Sequence, residues 1–290
     1  MEKDMNSIKV SVPGKIIIAG EHSVVYGEPA IVAAINKRLR VVFSWREDKK
    51  IVIKDKHKEL DLAKLAAKEC LKELKREDRG VEIEIESEIP VGKGMGSSAA
   101  LATGIVWAML KDKPMKIKDK VVKVIEDKQH NQSSGVDQSI VREGGVLKYQ
   151  KGVGYEKFKV TNLKFLLIDS GKPVESTGEM VEKVSKGSFK TEFSRMGEIA
   201  ENWEPNKIQE NEQLLEKIGV VGLAAKEIIR KVEAVGGMAK VCGAGGVVKG
   251  SGIILAVDDR IERLKQLAYA NNWQWFQVSL GVKGASYEKN

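Results

Sequence analysis

Cysteine, proline and long apolar runs are scarce in this sequence, and each shortage removes a class of protein. The 290 residues include two cysteines, Cys70 and Cys242, far apart and in no metal-ligand spacing, which suits a reducing compartment. Cys70 falls at an apolar helix position, so core packing is its expected role. The longest apolar stretch, Ala99 to Leu110, is too short to span a bilayer and contains Gly104. The charged N-terminus has no apolar core, so no signal peptide is expected; a cytoplasmic protein with no membrane partner fits. Only 6 prolines occur, and no proline- or glycine-rich linker separates the chain into parts. Five tryptophans have no stacking-motif arrangement and read as core or interface residues. The charge, 49 basic against 41 acidic residues, is a modest +8. Lysines are interleaved with glutamates, which makes solvated faces rather than a nucleic-acid-binding stripe. Such a field would still help gather nucleotides and polyanionic products.

What is present is a soluble globular composition, 42% hydrophobic and 31% charged, with no internal repeat. Short apolar pieces read as strands: Ile8–Val12, Ile16–Ala19, Ile31–Ala34, Leu39–Trp45 and Ile51–Ile53. Residues 59–76 place Leu62, Ala66, Cys70 and Leu74 on one helical face. A strand at Val81–Glu86, a helix from about Lys118 to Asp127 and paired strands within 144–160 follow. A new strand, Phe165–Asp169, runs into the turn Ser170-Gly171-Lys172-Pro173. The domain boundary is therefore expected near residue 160, giving parts 1–160 and 161–290. The second part reads as helices near 177–186, 190–203, 208–218 and 220–235, strands around Val241 and Ile253–Val257, a helix at 258–271 and a strand near Trp275–Val278. That mixture predicts a split β-α-β layout.

The stretch from Pro90 to Ala100 carries the most chemistry. Gly92, Gly94 and Gly96 leave room for a close-approaching anion, and Ser97 and Ser98 stand where a helix N-cap is expected. Free N–H groups and the helix dipole would then hold phosphate. The spacing matches neither the Walker loop nor the dinucleotide fingerprint. Taken alone, such a loop reads equally as a tight turn capping a helix.

Two further segments weigh on that choice. In residues 13–31, Lys15 stands at the start of a buried strand, and Glu21 and His22 emerge after Gly20 at its end. Between Glu126 and Gly145, Glu126 and Asp137 stand eleven residues apart across a Ser-Ser-Gly loop. Two acids so placed suit a metal ligand and a proton acceptor; alone they suit solvent equally.

Together and in this order, the segments resemble the galactokinase, homoserine kinase, mevalonate kinase and phosphomevalonate kinase (GHMP) superfamily. The resemblance is closest to the mevalonate kinase family. Residues 13–31 match its P-G-K…G-E-H-x-V-V-Y-G-x-P-A-I text almost throughout. Residues 90–100 match its phosphate loop with Met95 in place of Leu. Glu126, His130, Ser134, Gly135, Val136 and Asp137 match its third segment; Lys240, Gly243, Ala244, Gly245 and Gly246 partly match its last. The departures are Asn131, Ser133, Gln138 and Cys242, where the family usually shows Gly, Pro, Asn and Thr. The chain is also shorter than the family pattern, so a trimmed C-terminal half is expected.

The resemblance implies a two-domain α+β fold: an N-terminal ATP-binding α/β domain, a ferredoxin-like C-terminal domain and an active site in the cleft between. It implies ATP-dependent phosphorylation of the 5-hydroxyl of mevalonate, within isoprenoid biosynthesis. Phosphoryl transfer asks for positioning and charge neutralisation. By the family pattern Gly92, Gly94, Gly96, Ser97 and Ser98 cradle the ATP phosphates, and Ser98 and Glu126 hold Mg²⁺. Asp137 receives the acceptor proton, or orients the hydroxyl, with Lys15 beside it stabilising negative charge. Glu21, His22, Thr177, Gly243 and Ala244 are the substrate-side residues. For Thr177 a hydrogen bond near Asp137 and a helix cap are both open. His130 is expected to make a structural hydrogen bond, and His57 to be solvated. A related kinase acting on phosphomevalonate or a sugar, and a noncatalytic binding protein on the same fold, remain alternatives. A homodimer is left open.

Overall fold

The computed structural model describes residues 7–55, 59–130, 133–160 and 164–289. His57, Asn131 and the side chain of His130 lie outside the described residues.

Strand β1 (Ile8–Ala19) is one strand where two were expected. Its pairing with β2 (Pro29–Arg46) shifts register at Pro13 and Gly14, where β2 carries two extra residues, Asn36 and Lys37, so the Pro-Gly pair faces a bulge in β2 rather than a break in β1. β2 likewise joins two expected strands. Its first half pairs with β5 (Val146–Gln150) and its second with β4 (Gly80–Ser87). A parallel β3 (Ile51–Asp55) flanks β4, connected to it through helix α1 (Leu60–Leu74). β6 (Gly154–Lys157) closes a hairpin with β5.

Helices α2 (Ser97–Met109), α3 (Met115–His130) and α4 (Val136–Glu143) follow from the glycine loop onward. α2 is apolar around its circumference, and every residue from Ala99 to Met109 is buried. A helix of that kind belongs inside a layer, here between the sheet and α1 and α3. Gly104 is its point of closest approach to the sheet: a Cβ there would lie 2.8 Å from the Val41 side chain. α1 buries Leu62, Ala66 and Cys70 as its periodicity requires, with Ala63, Ala67 and Leu71 beside them. α4 was not anticipated; the Ser-Ser-Gly segment precedes a two-turn helix rather than a continuing loop.

The second sheet is built from β7 (Phe165–Asp169), β8 (Met238–Val241), β9 (Ile253–Val257) and β10 (Trp275–Phe276). Between β7 and β8 run α5 (Thr177–Ser185), α6 (Lys190–Glu201), α7 (Lys207–Lys217) and α8 (Leu223–Ala234). α9 (Ile261–Ala270) links β9 to β10. All neighbours are antiparallel in the order β10-β7-β9-β8, the ferredoxin-like βαββαβ arrangement, so the α+β expectation holds.

After β10 the chain returns to the first sheet. β11 (Ser286–Tyr287) pairs with β1 at Val10 and Ser11. Arg38 fastens this strap, donating to the carbonyls of Lys283 and Gly284 at 2.8 and 3.0 Å. The Tyr287 hydroxyl donates to the Trp107 carbonyl at 3.1 Å. Among the described residues no helix is long and apolar enough to cross a membrane.

Candidate active site

A cleft of about 470 Å³ is lined from both sheets. The register shift of β1 against β2 at Pro13 and Gly14 starts it. There the Lys15 N–H donates 3.0 Å to the Met95 carbonyl, which hangs the glycine loop on the edge of β1. Gly96 caps α2 with φ +76°, and a Cβ on it would lie 2.7 Å from Lys15 Cγ. Gly94 meets the second sheet's loop: a Cβ there would stand 2.7 Å from the Cys242 carbonyl oxygen. Glycine is thus required at both places, by backbone conformation and by space.

The serines are placed differently from expectation. Gly96 is the cap, and Ser97 and Ser98 lie inside the first turn of α2. The Ser97 hydroxyl donates to Glu59 Oε2 at 2.7 Å. The Ser98 hydroxyl is buried and has no hydrogen-bond partner among the described residues. Burial without a partner is costly for a hydroxyl, and this one lies on the wall of the cleft. The first intrahelical bond is Ala100 N–H to the Gly96 carbonyl, so the preceding N–H groups remain for an anion.

Glu126, near the end of α3, is buried at 3% exposure and lines the same cleft. Burial, with Asp137 adding repulsion, pushes its carboxyl up to about 8. Asp137 sits in the first turn of α4, where the helix dipole favours negative charge. Its Oδ1 lies 3.0 Å from Lys15 Nζ, with side-chain exposures of 35% for the acid and 4% for the lysine. Asp137 therefore faces the cleft and Lys15 supports it from behind. The loop leading to α4 is fixed by Tyr149, whose hydroxyl donates 2.5 Å to the Ser134 carbonyl, and by Ser133, which donates to Asp127 Oδ1. Gln138 turns away from the cleft; its side-chain amide donates 2.9 Å to the Asp119 carbonyl on α3.

At the opposite end His22 has φ +59°, a left-handed conformation that costs about 1–3 kcal/mol for a non-glycine residue. Its Nε2 lies 3.0 Å from the Ala244 carbonyl. Burial lowers its pKa to about 4, so the ring is neutral at pH 7. Nε2 then carries the proton donated to Ala244, and Nδ1 is left as an acceptor. Glu21 lines the cleft, but its carboxylate is engaged by Lys240 and Asn211. Thr177, Gly243 and Ala244 line the cleft too. The cap of α5 is Ser176, in a reciprocal capping box with Glu179, and Thr177 is the first residue of the helix.

Several cleft residues had not been singled out. Lys93, inside the glycine loop, forms an ion pair with Asp169 at the end of β7, and its carbonyl accepts from Ile253 N–H at 3.1 Å. Lys172, Glu59 and Glu175 also line the cleft. The turn Ser170–Pro173 was the sequence signal for Lys172; the glycine-loop lysine gave one for Lys93.

The family model of the GHMP kinases N terminal domain matches residues 61–145. The mevalonate kinase of Archaeoglobus fulgidus is 35% identical, with 81% of this chain and 88% of that protein covered. That of Aeropyrum pernix is 30% identical over 97% of this chain and 98% of its own length. Among solved structures, the Methanococcus jannaschii mevalonate kinase superposes with a TM-score of 0.79 at 23% identity, covering 96% of this chain and 99% of that one. The L. major mevalonate kinase in complex with R-mevalonate superposes with a TM-score of 0.74 at 21% identity, 94% of each chain being covered. The last two likenesses establish the fold.

Proposed function

The chain belongs to the mevalonate kinase family, and on that premise we propose that it transfers the γ-phosphoryl group of ATP to the 5-hydroxyl of mevalonate. The observation that carries the reading is the Lys15–Asp137 pair, 3.0 Å apart, in one cleft with the buried, partnerless Ser98 hydroxyl. Asp137 takes the proton of the hydroxyl as its oxygen bonds to the γ-phosphorus. The bond from that phosphorus to the β,γ-bridging oxygen breaks, and ADP leaves. Lys15, nearly dry behind the acid, steadies negative charge at the attacking oxygen. The glycine loop and the first turn of α2 hold the phosphates. His22 Nδ1 is placed to accept from the 3-hydroxyl of the acceptor.

Mg²⁺ fits the donors present. An orphaned hydroxyl and a buried carboxylate, Ser98 and Glu126, are the oxygen ligands this ion takes alongside water and phosphate oxygens. When bound it would neutralise charge between the phosphates. Residues 1–160 would form the ATP-binding domain and residues 161–290 the domain that closes the cleft, less the strap that returns to the first sheet.

ADP release with mevalonate, phosphomevalonate and galactose as acceptors tests the reading. Mevalonate should be used with the highest kcat/KM. Preference for another acceptor would overturn the substrate assignment.

A further inference from the structure

Three lysines line the cleft: Lys15, Lys93 and Lys172. Lys15 is neutralised by Asp137 and Lys93 by Asp169. His22, the remaining basic side chain of the lining, is neutral at pH 7 because burial lowers its pKa. Lys172 forms no ion pair or hydrogen bond among the described residues. It is therefore the one uncompensated cation of the described cleft wall.

Its position is defined. A Cβ on Gly92 would stand 2.7 Å from Lys172 Cε and 3.4 Å from Nζ, so the ammonium lies over the first glycine of the phosphate loop. The turn that carries it is held at both ends. Gly171 N–H donates to Asp169 Oδ1 at 2.8 Å, Gly252 N–H to the Gly171 carbonyl at 3.0 Å, and Ser170 N–H to the Gly252 carbonyl at 3.0 Å. A flexible ammonium on a fixed turn, above a loop of free N–H groups, matches a polyphosphate: lysine binds phosphate as a mobile point charge with three donors.

We infer that Lys172 is a triphosphate-binding residue, reaching from the second sheet to the nucleotide cradled by the first. The inference rests on the proposed ATP site. It gives the nucleotide a second task, since a triphosphate held by both walls ties the two sheets together. It also means that the charge balance of the bound phosphates depends on a side chain outside the glycine loop.

Calorimetric titration of MgATP into wild type, Lys172→Met and Lys172→Arg tests it, with tripolyphosphate as a second probe. Lys172→Met should weaken MgATP binding about 10- to 100-fold, as loss of a charged hydrogen bond requires. Tripolyphosphate should weaken in parallel, and Lys172→Arg should retain most of the affinity. Lys172 is exposed, so the nucleotide-free melting temperature should stay at the wild-type value while the ATP-induced rise shrinks. The KM for mevalonate at saturating ATP should not move. A Met variant that binds MgATP within a factor of about two of wild type overturns the inference. Wild type that binds MgATP without phosphorylating mevalonate would refute the acceptor assignment alone, and the binding comparison would still decide Lys172. Wild type that does not bind MgATP would refute both.

Discussion

Glu21 and Lys240 form an ion pair with side-chain exposures of 1% and 0%. The acid follows β1 of the first sheet and the lysine lies on β8 of the second. The ammonium also donates to the carbonyls of Ile17 and Val241, at 3.3 and 2.9 Å. The second carboxylate oxygen of Glu21 accepts from the Asn211 side chain at 3.3 Å. Burial opposes the charge on Lys240, but Glu21 above all holds its pKa above the usual lysine value. A buried pair so completely partnered fixes how the two sheets meet beneath His22.

Lys240→Met should therefore destabilise the protein by about 3–5 kcal/mol, because it leaves Glu21 charged, buried and unpaired. Adding Glu21→Gln should recover much of that loss. Denaturant melts of both singles and the double provide the check; a Met variant as stable as wild type would show that the pair contributes nothing.

Ser98→Ala and Glu126→Gln should each raise the Mg²⁺ concentration needed for half-maximal turnover by roughly tenfold. A carboxyl pushed up to about 8 must lose its proton before it can ligate, so wild-type Mg²⁺ affinity should rise with pH up to about 8 and level off above. Glu126→Gln should lose that pH dependence and Ser98→Ala should keep it. Unchanged Mg²⁺ titrations in both variants would place the ion elsewhere.

Glu212 gives a stability prediction of known sign. It is fully buried on α7, accepts from Val241 N–H at 2.8 Å, and burial pushes its carboxyl up to about 8 from 4.5. Below pH 4.5 it is protonated in both folded and unfolded chains. Between 4.5 and 8 the folded chain keeps a proton that the unfolded chain has released, so its contribution to stability falls as pH rises. Glu212→Gln keeps an acceptor for Val241 and removes the titration. The melting temperature of Glu212→Gln relative to wild type should climb between pH 5 and pH 8; a constant offset would exclude the mechanism.

The legible parts of this protein were those encoded locally. Glycines at alternate positions announced the tight loop that enters α2, and the 62-66-70-74 spacing announced α1. Pro13 misled, because a proline within a continuous strand and one at a strand end share the same sequence signal; only pairing across Ile8–Phe43 to Ala19–Ile31 shows one strand. α4 is eight residues long and begins at a Ser-Ser-Gly turn, so its apolar positions, Val136, Ile140 and Val141, are too few to declare a period. The return of Ser286–Tyr287 to β1 is a two-residue pairing with no pattern of its own. Contacts between distant residues were least visible. Glu21 was placed by its motif on the substrate side, and its partner stands 219 positions away.

The account rests on Asp137 as the proton acceptor with Lys15 as its partner, and mevalonate-dependent ADP release by Asp137→Asn, Lys15→Met and the double variant tests it most directly. Asp137→Asn should lower kcat by roughly 10²-fold or more with MgATP binding nearly intact. Lys15→Met should also lower kcat strongly. The double variant should lose much less than the two losses combined, because the pair acts as one unit. Near wild-type turnover by Asp137→Asn, or strict additivity of the logarithmic losses, would contradict the assignment.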